Sequence, residues 1–132
     1  MMDTVKRPKV APGITPRRKT GCGWLYMTIN EFDGEPMEIF IKLGKAGGCM
    51  TANLEALGRM ISVALRCGMP VEMVIKHLKG IECPSKVPFP DDKKAMSCPD
   101  AIARMIEEYL SERKTTNEPV QRDDIGDNDN QK

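Results

Sequence analysis

One histidine, one tryptophan and 5% aromatic residues leave this 132-residue chain short of the groups most catalytic sites use. No Ser/His/Asp set can be built around the lone His77, and no carboxylate pair stands out as acid and base. Nothing in the residues alone argues for catalysis. No apolar run approaches the ~18 residues a membrane span needs, and residues 1–8 are polar and charged, which predicts neither a membrane partner nor a signal peptide. A cytoplasmic location follows as the expectation. The five cysteines contain no Cys-x-x-Cys pair, so no standard finger, ribbon or thioredoxin-like motif is present. With few rings and ten methionines, the core is expected to be adaptable and aliphatic.

The net charge is only +1, but it is unevenly spread. Residues 1–19 carry six basic groups (Lys6, Arg7, Lys9, Arg17, Arg18, Lys19) and three prolines. They read as an extended basic arm, either solvated or meeting phosphates or an acidic surface. Residues 113–132 become acidic and lose periodicity, which predicts a disordered tail. Residues 20–112 are left as the folded domain. A unit of that size gains from a metal staple.

Within it, residues 24–30 alternate, with Leu25, Met27 and Ile29 on one face. Residues 37–43 alternate again, with Met37, Ile39, Ile41 and Leu43 together. Asp33-Gly34 between them supplies the positive φ angles of a hairpin turn. Leu54, Leu57, Ile61, Ala64 and Leu65 then set a helical period over about 50–66, closed by Cys67-Gly68. Pro70 opens a second helix over about 70–79, with Val71, Val74, Ile75 and Leu78 inward. Three prolines mark residues 81–96 as a loop. Ser97-Cys98-Pro99-Asp100 has the form of a capping box and opens a third helix with Ile102, Met105, Ile106, Tyr109 and Leu110 inward. The predicted fold is α+β: a short β-hairpin packed with three helices.

Four cysteines sit beside Gly or Pro at element edges, outside any hydrophobic stripe. Cys22 lies between two glycines, Cys49 follows Gly47-Gly48, and Cys83 and Cys98 precede prolines. Thiols held in tight turns suit a tetrahedral metal, with backbone N–H groups offsetting thiolate charge. Cys98, in a first helical turn, has the helix dipole to favour its thiolate. Zinc bound by all four is the leading reading; buried hydrophobic thiols, an iron–sulfur cluster or a redox pair stay open beside it. Cys67 is the odd one out; His77 could substitute as a ligand, but its mid-helix place favours a solvated or capping role. The turn Lys42-Leu-Gly44-Lys45-Ala-Gly47-Gly48 precedes a helix as anion-cradling loops do, but lacks the Gly-Lys-Ser/Thr of a Walker loop. Lys42, Gly44, Lys45, Gly47 and Gly48 are the candidate nucleotide- or nucleic-acid-binding set.

Met96-Ser97-Cys98-Pro99-Asp100, within residues 94–104, resembles the signature of the TSCPD domain. Arg7-Pro8-Lys9-Val10 resembles the family's opening segment, and Lys19-Thr20-Gly21-Cys22-Gly23 with Leu25-Tyr26 its first strand. Leu43 to Cys49 resembles its glycine turn, Glu55 to Ser62 with Ala64-Leu65-Arg66 its central helix, and Leu78 to Pro84 its closing pattern. The likeness runs over roughly residues 6–112. The family is similar to the C-terminal module of bacterial adenosylcobalamin-dependent (class II) ribonucleotide reductases, and it also occurs as short stand-alone chains. The resemblance implies an accessory role in deoxyribonucleotide synthesis beside a reductase catalytic subunit. It implies adenosylcobalamin only through that partner, and no complete active site here. Cys22, Cys49, Cys83 and Cys98 coincide with the module's cysteine positions.

Overall fold

The computed structural model describes residues 4–44, 48–84 and 95–115. The order is β1 (Gly13–Ile14), β2 (Arg17–Thr20), β3 (Gly23–Phe32), β4 (Glu35–Leu43), α1 (Gly48–Arg66), α2 (Val71–Leu78) and α3 (Cys98–Thr115). The α+β class holds, and the sheet is larger than a hairpin.

The alternation in β3 puts Leu25, Met27 and Ile29 at 0% exposure, while Trp24, Tyr26, Thr28 and Asn30 lie on the opposite face. Asp33 (φ 55) and Gly34 (φ 81) turn the chain back into β4, as a two-residue hairpin requires. Ile29 then pairs with Ile39 and Leu25 with Leu43, with a bulge at Asn30/Glu31.

Part of the arm is extended and paired into the sheet. β1 and β2 pair with β3 along the edge opposite β4: Ile14 faces Ile29, and Arg18 faces Leu25. Pro12 and Pro16 interrupt this edge because they lack an N–H, yet their carbonyls still accept from Glu31 and Met27. A ten-residue β3 has two rows of backbone groups to satisfy, and the arm supplies the second. The acidic tail from 116 onward lies outside the described residues.

α3 packs on the aliphatic face, burying Ala101, Ile102, Met105 and Ile106 against the β3 row. α1 runs beside β4. Gly58 permits this, since a Cβ there would come 3.3 Å from the Ile39 carbonyl. One turn on, the buried Ser62 hydroxyl accepts from Ile39 N–H at 2.9 Å and donates to its carbonyl at 3.1 Å. A helix side chain thereby occupies backbone groups that an exposed edge strand would offer to another chain. α1 ends at a left-handed Gly68 (φ 106), with Met69 N–H bonding the Ala64 carbonyl. Pro70 is the residue before α2, one position outside the expected start. Among the described residues no helix is long and apolar enough to cross a membrane.

Candidate metal centre

Three of the four expected ligands are brought to one corner. Gly21 and Cys22 form the tight turn between β2 and β3. The buried Thr20 shapes it: its hydroxyl accepts from Cys22 N–H at 3.1 Å and donates to the Gly23 carbonyl at 2.8 Å. Cys83 is pinned beside the start of α3 by its N–H, which donates to the Met96 carbonyl at 3.1 Å. Cys98 opens α3 and is buried, with its thiol 4.0 Å from Thr20 Oγ1. Cys22, Cys83 and Cys98, with Thr20, Gly21, Met96 and Ser97, line a cavity of about 10 Å³, the space of one water or one small ion.

Asp100 organises this corner. Its carboxylate is fully buried and accepts from Gly80 N–H (2.8 Å), Met96 N–H (2.9 Å) and Arg104 Nε (2.8 Å). Ser97 caps α3 as expected, its hydroxyl accepting from Asp100 N–H at 3.0 Å. The reciprocal half of the box differs, because Asp100 reaches Met96 and the end of α2 rather than Ser97 N–H. Burial pushes the Asp100 carboxyl up, but the hydrogen bonds from Gly80, Met96 and Arg104 outweigh it and hold the group below its ordinary value. One carboxylate thus ties α2, the segment before α3, and α3 itself. The capping pattern found this residue but missed its reach.

The electrostatics bear on the donor set. Burial pushes the Cys98 thiol up; the Thr20 hydroxyl opposes this, and Cys22 and Cys83 raise it further. The Cys98 thiol is thus raised, where its place in a first helical turn led to the opposite expectation. Cys22 and Cys83 both add to the cost of ionising Cys98, a cost that a cation bound among them would relieve. Three thiols around an ion-sized space fit zinc in chemistry. The fit is incomplete: among the described residues no group of three or more His, Cys, Asp or Glu side chains is arranged to hold a metal ion. All five cysteines are free thiols.

Cys49 is exposed in the first turn of α1 and does not line the cavity. It does follow the right end of the sheet, because Leu43 pairs with Leu25 and Gly44 N–H donates to the Trp24 carbonyl, next to the Cys22 turn. Cys67 stands apart, 3.5 Å from Thr4 Oγ1, and His77 is exposed on α2. Of the anion-site candidates, Lys42 and Gly48 are exposed, and Gly44 has its N–H committed to Trp24. Lys45 and Gly47 lie outside the described residues.

Residues 3–110 match the TSCPD domain, and the chain belongs to that family. It is 30% identical over 102 residues to vitamin B12-dependent ribonucleotide reductases of Streptomyces clavuligerus and Streptomyces avermitilis, covering 75% of this chain and 11% of each enzyme. The counterpart from Streptantibioticus cattleyicolor matches at 30% over 102 residues, 75% of this chain and 17% of that one. The chain therefore spans between a tenth and a fifth of the curated relatives it matches, in which the domain occurs as a module. No solved structure matches it.

Proposed function

We propose that this chain is an accessory module of deoxyribonucleotide synthesis that associates with the catalytic subunit of a vitamin B12-dependent ribonucleotide reductase in the cytoplasm. The single observation that carries the reading is the extent of the match: nearly the whole described chain corresponds to a small module of those enzymes. Cobalamin chemistry would enter only through the partner. The module's own residues would supply a rigid surface, held at one corner by a structural zinc on Cys22, Cys83 and Cys98. Cys49, in the first turn of α1, would be the fourth ligand. The zinc would contribute folding free energy and no reaction step.

The test is co-purification of the tagged chain with a cobalamin-dependent reductase, with nucleotide reduction measured with and without added chain. A stable complex and an altered turnover are expected. A reductase that elutes alone, with turnover unchanged at excess chain, would contradict the proposal.

A further inference from the structure

The two faces of the sheet have unlike compositions. Inward, β3 and β4 present Leu25, Met27, Ile29 and Ile39. Outward, the register sets Lys19 opposite Trp24, and both Arg17 and Lys42 opposite Tyr26. Phe40 lies opposite Thr28 on the same face and is 55% exposed. The chain has only six aromatic residues. Five of them are described: Phe32 and Tyr109 are buried, and the other three all stand on this outer face.

Trp24 and Tyr26 are two residues apart on one strand, about 6.6 Å. Phe40 is the diagonal neighbour of Tyr26 across the ladder, about 7–8 Å away. The three rings form a row. Cations lie over its first ring: the Arg17 guanidinium is 4.2 Å from the Trp24 ring centre and Lys19 Nζ 5.3 Å, both reaching it from β2. Tyr26, Phe40 and Lys42 line one wall of a groove of about 770 Å³ whose other wall is α1. The carboxylates bordering that groove are already neutralised. Glu38 accepts from Arg7 (2.7 Å) and Asn30 (2.6 Å), and Glu55 accepts from Arg59 (2.5 Å).

We propose that the outer face binds single-stranded nucleic acid, stacking unpaired bases on Trp24, Tyr26 and Phe40 while Arg17, Lys19 and Lys42 meet the phosphates. A row of rings at this spacing serves successive bases of any sequence, and cations beside it suit a polyanion. A duplex, with its bases stacked inside, has nothing to offer the rings. The site shares Lys42 with the glycine turn but is built on the sheet face, and it does not rest on reductase association: co-purification can fail with this binding intact.

Trp24 is the sole tryptophan, so its fluorescence reports the contact directly. The full chain is titrated with an oligothymidylate of about 20 nucleotides, longer than the ~4–16 nucleotides such surfaces cover. Saturable quenching is expected, with affinity falling as salt rises from about 50 to 200 mM. Phe40→Ala should weaken binding about tenfold or more. Lys42→Glu should weaken it and flatten the salt dependence by about 0.7 in log–log slope. Met60→Ser, on an exposed position of α1, should bind as the parent does. Absent quenching, equal affinity for duplex, or undiminished binding by both Phe40→Ala and Lys42→Glu would overturn the proposal.

Discussion

The β4–α1 seam and the cysteine corner solve the same problem by different means. At the seam, Leu54, Ile61 and Leu65 bury against Ile39 and Leu43, and Ser62 closes the strand edge with one hydroxyl. At the corner, a turn at 21–22, the segment at 80–83 and the start of α3 meet with few large apolar side chains between them. There Asp100 and Thr20 fix the backbone, and the sulfurs face a space too small for a side chain. Where segments carry alternating or helical apolar patterns, burial holds them. Where they are turns, polar contacts and a proposed metal must take over.

The largest difference between the regions is expected from the thiols. Cys22→Ser or Cys98→Ser should lower unfolding free energy by several kcal/mol in denaturant melts, because the proposed zinc would lose a ligand and its folding contribution with it. Cys67→Ser, outside the corner, should change it by less than about 1 kcal/mol. Equal losses at all three would erase the distinction between the regions. Next comes Asp100→Ala, which strands the Gly80 and Met96 N–H donors and should cost about 3 kcal/mol. Amide exchange at those two positions should quicken with it. Ser62→Ala leaves one buried N–H on Ile39 and should cost about 1–2 kcal/mol without altering the metal content.

The smallest effect concerns acid. Burial pushes the Glu38 carboxyl up, but hydrogen bonds from Arg7 and Asn30 and the charges of Arg7 and Arg66 bring it below its ordinary value of 4.5. A depressed folded value makes this stabilisation complete above that ordinary value and removes it as pH falls through the lowered one. Arg7→Ala should therefore be less stable than the parent at neutral pH, with the gap closing on acidification below about 4. A gap independent of pH would assign the Arg7 contribution to packing of its stem instead.

Much of the sheet and of the seam could be read from the chain, because Leu25, Met27 and Ile29 in β3 and Leu54, Ile61 and Leu65 in α1 carry their own period. β1 and β2 could not. Gly-Ile and Arg-Arg-Lys-Thr have no buried pattern strong enough to mark a strand, and prolines flank them; they pair because β3 has an open edge. Cys22, Cys83 and Cys98 were marked by their Gly and Pro neighbours. That Asp100 would bridge to Gly80, twenty residues away, follows only from how α2 meets α3. Trp24 and Tyr26 were visible as outward residues, but only the β3–β4 register adds Phe40 and Lys42 to their row.

Metal analysis of the purified chain beside its Cys98→Ser and Cys67→Ser variants tests the corner most directly. About one equivalent of zinc is expected in the parent and in Cys67→Ser, and none in Cys98→Ser. A folded parent free of metal after purification in zinc-containing medium, or zinc retained when Cys98 is replaced, would contradict the account.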